Sequence, residues 1–157
     1  MRRRMLGAAL CGVLLPTRLA GARECDVCGE GGRNAEDEVV QLAKPSPSTY
    51  MQLAMELRDR AGARGEAAVG AVIALDAVVL SVGSPHVKER HDPTSHAEME
   101  AIRMACKRHA TNDLSGAVLY VSSRPCRMCE TAAFYARVSR IVYSDALLDG
   151  GAPRQGE

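Results

Sequence analysis

The chain has 157 residues, 46% hydrophobic and 25% charged, which is enough for one packed domain and too few for two. Twenty Lys and Arg against nineteen Asp and Glu leave a formal charge of +1, so no global field draws the protein to nucleic acid or anionic lipid. Aromatics make up 3%, with no Trp and one Phe, which argues against a stacking platform for single strands and favours a small-molecule substrate.

Residues 1–22, "MRRRMLGAALCGVLLPTRLAGA", join a basic start, an apolar run and a small-residue A-G-A ending, the layout of a secretory signal. The apolar run from Met5 to Leu15 is too short to cross a bilayer, so no membrane span is expected once the signal is removed. The arginines ahead of "ML", the weakly apolar Gly/Ala core and Arg18 near the cut resemble a twin-arginine signal, the kind that exports folded proteins. That predicts an exported or periplasmic protein. Translation starting at Met51 would instead make the stretch meaningless and the protein cytoplasmic. Residues 23–48 are Gly-rich, then acidic, then alternate Pro and Ser, the composition of an irregular linker. Cys25 and Cys28 form a C-x-x-C there, read first as disordered, next as a local disulfide, and last as a metal site.

From Thr49 the pattern tightens into a domain expected over residues 49–145. "TYMQLAMELRDRAGARG" carries Met51, Leu53, Ala54 and Leu57 mostly on one helical face and stops at glycines. "AVGAVIALD" and "AVVLSVG" are short β-branched runs that meet at Asp76-Ala77 and predict a hairpin. Asp92, Thr94 or Ser95 can cap a helix from about His96 to His109. "GAVLYVSS" reads as a third strand, "CRMCETAAFYAR" as a helix opened by Pro125, and "SRIVYS" as a fourth strand. Strands alternating with helices imply an α/β layered domain with a mixed sheet. Residues 146–157 read as a short C-terminal tail.

The chemistry concentrates at two helix starts. Cys126 and Cys129, one turn apart after Pro125, could be a redox pair, part of a zinc site, or two small core residues. "SHAEME" decides among them, because H-x-E together with P-C-x-x-C resembles the signature of zinc-dependent base deaminases. Three protein ligands leave the fourth tetrahedral position of zinc open to water, and His96, Cys126 and Cys129 supply those three. Cysteines at i and i+3 share one side of a helical turn, and a helix N-terminus favours their thiolates. Glu98 is then the acid and base that moves a proton from that water to the ring nitrogen of a heterocycle and helps ammonia depart. Residues i and i+2 of a regular helix do not face the same way, so His96 and Glu98 converge only if the ion sits off the helix end.

From "GAVI" at Gly70 to "IVYS" ending at Ser144, the chain resembles the cytidine deaminase superfamily, in the branch of bacterial guanine deaminases and wobble-position tRNA adenosine deaminases. "DPTSHAEMEAIRMACKR" and "LYVSSRPCRMCETAAFYAR" are most similar to guanine deaminase. The resemblance implies a three-layer α/β/α fold, one catalytic zinc per subunit and a homodimer. It also implies substrate contacts from Ala97 and from an aromatic position at Phe134-Tyr135. Pro85 stands where the family has an asparagine that contacts the base or ribose, which leaves His86 as the nearest polar substitute. Arg124 stands where glutamate is common, and the residues after Ser144 are expected not to form the helices that often follow the fourth strand. The expected activity is hydrolytic deamination of a nucleobase or nucleoside, guanine first. A tRNA adenosine deaminase and a non-catalytic zinc-binding module are the alternatives, and nucleic acid is disfavoured as a partner by the neutral charge.

Overall fold

A computed structural model describes residues 42–155. The expected signal over 1–22, the Cys25–Cys28 pair and most of the linker lie outside them. Helix α1 (Pro47–Ala63) begins two residues earlier than its periodicity suggested. Ser46 and Thr49 form a capping box with Pro47 in the first turn, so residues that read as linker in fact start the helix. The hairpin is β1 (Ala71–Leu75) and β2 (Val78–Gly83), antiparallel, turning at Asp76 in the left-handed region with φ 50°. A four-residue helix, α2 (Val87–Arg90), precedes α3 (Ala97–His109). Strand β3 (Val118–Val121), helix α4 (Arg127–Tyr135) and strand β4 (Arg140–Tyr143) form a parallel βαβ unit.

The expected tail is structured. Residues Leu148–Gly151 form β5, antiparallel to β4, at one edge of a five-stranded mixed sheet in the order β2-β1-β3-β4-β5. Helix α1 covers one face: Tyr50, Met51, Ala54 and Leu57 pack against Val72, Ala74, Val79, Val82 and Tyr120. Helices α3 and α4 cover the other, where Ala97, Ala101, Ala105 and Ala133 meet Ala71, Ile73, Leu119, Val121 and Ile141. Successive β1 residues point to opposite faces and both faces are roofed, so "AVIAL" is apolar throughout instead of alternating. This is the three-layer α/β/α arrangement expected.

Small residues let the helices sit close to the sheet. A Cβ on Gly83 would lie 2.2 Å from the Ala97 carbonyl oxygen and 2.6 Å from the Ala101 amide nitrogen, so only glycine admits the start of α3 at this distance. Gly70 gives α1 the same close approach from the opposite side, with the Ala54 carbonyl oxygen 2.1 Å from the position of its absent Cβ.

Candidate active site

The loop that carries the thiols leaves the carboxyl end of β3, the end of a parallel strand where α/β sheets place their ligands. Ser122 locks it to the start of β1: its hydroxyl accepts from the Gly70 amide at 3.0 Å, and its own amide donates to the Gly70 carbonyl at 3.0 Å. Pro125 then precedes Cys126, which is the N-cap of α4, so Cys126 rather than the proline opens the helix.

The second arm is the turn before α3. Asp92 accepts from the Thr94 amide and hydroxyl at 2.8 and 2.7 Å, and the Ser95 hydroxyl reaches Glu100 at 3.0 Å. None of these three caps the helix as expected. The N-cap is His96, in extended conformation with φ −76° and ψ 157°, and its ring makes no cap hydrogen bond. Cys126 has almost the same backbone, φ −74° and ψ 167°, and also makes none. Each side chain is thereby turned away from its own helix and toward the other.

The three expected ligands meet. His96 Nδ1 lies 3.7 Å from Cys126 Sγ and 3.6 Å from Cys129 Sγ, and the two sulfurs are 3.5 Å apart. An ion with Zn–S near 2.3 Å and Zn–N near 2.05 Å would set tetrahedral edges of roughly 3.8 Å for sulfur to sulfur and roughly 3.6 Å for sulfur to nitrogen. The trio therefore fits zinc in both donor chemistry and spacing, and it is the one such His/Cys/Asp/Glu group among the described residues. Cys129 is fully buried and Cys126 exposed, so the metal position opens to solvent on the Cys126 side. Without metal, burial pushes the Cys129 thiol well above its ordinary value, with the Glu98 charge adding to it. A bound dication reverses that by holding the thiolate.

Glu98 sits in the first turn of α3, 4% exposed, and converges with the trio because His96 lies just outside the helix. Burial raises its carboxyl above the usual carboxylate range, while its own backbone amide, the Cys129 thiol and His96 pull the other way. A cavity of about 200 Å³ opens over it, with Val69, Pro85 and Val87 forming an apolar wall and Ala97, Ser123 and Arg124 lining the rest beside His96 and Cys126.

Two expected substrate contacts lie elsewhere. His86 is buried with Nδ1 2.7 Å from Glu89 Oε2, and it is not among the residues lining this cavity. Its amide donates to the Ser95 carbonyl at 3.0 Å, so it braces the turn that delivers His96. Phe134 is 41% exposed at the far end of α4, packed edge-on against Tyr135 and outside the cavity lining. Ala97 does line the cavity. Sequence reasoning missed Val69 and Val87: nothing local marks a residue before a strand or in a one-turn helix as a cavity wall. Pro85, identified only as a missing amide, is a wall residue itself.

The comparisons agree with this geometry. The family model described as the cytidine and deoxycytidylate deaminase zinc-binding region matches residues 45–145. A tRNA-specific adenosine deaminase of Agrobacterium fabrum is 40% identical over 107 residues, covering 68% of this chain and 70% of that protein. Guanine deaminase of Bacillus subtilis is 41% identical over 75 residues, and the match spans 48% of each chain. A solved structure from a study of A-to-I editing by tRNA:A34 deaminases superposes with a TM-score of 0.60 at 41% identity, covering 61% of this chain and 74% of the other. With its two-helix ligand trio and the match over residues 45–145, the chain belongs to the cytidine and deoxycytidylate deaminase family.

Proposed function

We propose that this protein hydrolytically removes an exocyclic amino group from a purine, releasing ammonia. The observation that carries the reading is the buried Glu98 carboxyl, set beside the His96, Cys126 and Cys129 cluster in the lining of a base-sized cavity. Zinc, when bound, polarises and acidifies a water at neutral pH. Glu98 has what a proton carrier there needs: a rigid helical mount, little competing solvent, and a carboxyl held above the usual range by burial. Val69, Pro85 and Val87 exclude water from one side of the base without offering it a side-chain hydrogen bond. On that side selection between bases rests on shape, not on an amide at position 85, and polar contacts to the base fall to backbone groups and to Ser123 and Arg124.

Adenine carried in RNA becomes the first substrate, ahead of the guanine favoured by motif likeness. Its support is that proteins named as tRNA adenosine deaminases match over more of their length than the guanine deaminase does. A charge of +1 does not weigh against this, because a few local contacts can hold a single nucleotide. Guanine remains the second reading. The deciding assay is ammonia release by the zinc-counted full chain from adenine, guanine, cytosine, their nucleosides and an RNA stem-loop bearing an adenosine. Release from the RNA or from one purine with one zinc per chain is expected. Stoichiometric zinc with no ammonia from any of them would replace the enzyme reading with the non-catalytic module.

A further inference from the structure

Behind the His96 arm of the site, one carboxylate gathers donors from three parts of the chain. Glu100, 12% exposed, accepts from Arg90 Nη1 at 2.7 Å, from Arg103 Nη1 at 2.6 Å and from the Ser95 hydroxyl at 3.0 Å. Arg90 is the last residue of α2, Ser95 directly precedes the ligand His96, and Arg103 lies further along α3. Arg103 also donates from Nη2 to the Thr94 hydroxyl oxygen at 3.1 Å, and that hydroxyl donates to Asp92 at 2.7 Å. Burial works to raise the Glu100 carboxyl, but the hydrogen bonds from Arg90 and Ser95 and the charge of Arg90 outweigh it and hold the group below the usual carboxylate range. At neutral pH the carboxylate is ionised, so its bonds are charge-assisted. Single exposed ion pairs contribute little, whereas this is a largely enclosed network with one acceptor at its centre.

The network reaches both halves of the site. Val87, the first residue of α2, forms the apolar wall of the cavity with Val69 and Pro85. A helix of four residues cannot hold itself, so its place depends on what grips it. Glu66 takes the amides of Lys88 and Glu89, and Glu100 takes the far end through Arg90. Through Ser95 the same carboxylate fixes the residue ahead of His96, whose ring makes no cap hydrogen bond and is aimed by the backbone of this turn. We propose that Glu100 is a positioning residue that sets the ligand His96 and the cavity wall at Val87 relative to one another. It acts through Ser95 and Arg90. The metal half of the proposal stands on geometry alone, and the wall half rests on the purine deaminase reading.

The full zinc-loaded chain is compared with its Glu100→Gln, Arg90→Gln and Asp113→Asn variants. Asp113, between α3 and β3, accepts from the Ser115 amide at 2.9 Å and pairs with Arg137 at 3.1 Å, so its loss costs stability away from the site. Zinc affinity by chelator competition, the d–d bands of the cobalt-substituted chain, Tm, and KM and kcat for the purine substrate are measured for each. Glu100→Gln should weaken zinc about tenfold, as loss of outer-shell support does, and shift the cobalt bands. Arg90→Gln should raise KM about tenfold with kcat little changed, because the wall moves while the metal stays. Asp113→Asn should lower Tm and move nothing else. The proposal is overturned by a Glu100→Gln chain with lower Tm but parental zinc affinity and cobalt bands, or by an Arg90→Gln chain with parental KM. It is overturned equally if Asp113→Asn weakens zinc as much as Glu100→Gln does. Should Glu100→Gln fail to fold, Ser95→Ala removes only the hydroxyl bond and takes over the zinc prediction. If no purine yields ammonia, the deaminase reading has failed while the zinc and cobalt measurements still decide the metal half. Hydrogen exchange at the Lys88 and Glu89 amides then replaces KM for the wall: faster exchange in Arg90→Gln upholds the coupling, and unchanged exchange overturns it.

Discussion

At the scale of single residues, the site depends on one carboxyl whose neighbours are all accounted for. Glu98→Gln keeps the shape and the contact with the Cys129 sulfur but cannot carry a proton. Ammonia release should fall by about 10²- to 10⁴-fold while zinc per chain, measured by atomic absorption, stays the same. Loss of zinc along with activity would mean that Glu98 supports the metal site rather than the reaction. These residues were legible because their types are rare and their spacing is chemical: a histidine two before a glutamate, and two cysteines one turn apart after a proline. His86 and Phe134 could not be placed in the same way. Whether a side chain faces a cavity depends on elements distant in sequence, and His86 turned instead to Glu89.

At the scale of elements, the hairpin and the βαβ unit followed directly from β-branched runs and a helical thiol pair. Two elements did not. Strand β5 is "LDGG", with no β-branched residue, and it exists because β4 offers an edge and Arg140 meets Asp149 across it. Helix α2 is one turn long and is held by Glu66, twenty-two positions from Lys88, whose carboxylate accepts from the Lys88 amide at 2.9 Å and the Glu89 amide at 2.9 Å. Those amides, Glu89 first, hold the Glu66 carboxyl below the usual carboxylate range. A lowered folded value means that the ionised form stabilises the fold at pH values above the unfolded carboxyl's own titration, and that this contribution fades as pH falls through the folded value. Glu66→Gln should therefore lower Tm at pH 7, with the gap to the parent closing in melts run at successively lower pH below about 4.3. A gap that held steady through that range would show that the hydrogen bonds matter but the charge does not. Gly83→Ala probes the other side of the site. The added methyl must push the start of α3 off the sheet, so a loss of about 1–3 kcal/mol or more is expected, with reduced zinc content. Full zinc and an unchanged melt would mean that the layers can part without moving His96.

At the scale of the whole molecule, the metal joins two helices that otherwise touch mainly through small apolar side chains. Its ligands come from α3 and α4, thirty and thirty-three positions apart in sequence, so binding ties the two helices on one face of the sheet together. Chelation should lower Tm by roughly 10 °C or more at saturating zinc, followed by calorimetry with and without chelator. A melt indifferent to chelator would leave the metal a catalytic role only.

The two N-caps have a further consequence. His96 and Cys126 occupy positions where Ser, Asp or Asn would strengthen a helix by about 1 kcal/mol each, and both withhold their side chains from that task. The metal-free chain thus carries two under-capped helices side by side on the same face of one sheet. Where zinc is scarce, the first effect is not a slower enzyme but fewer molecules of it, since a fold this much closer to its threshold spends more time open to proteases. The abundance of the protein in a cell would then track zinc supply at constant synthesis.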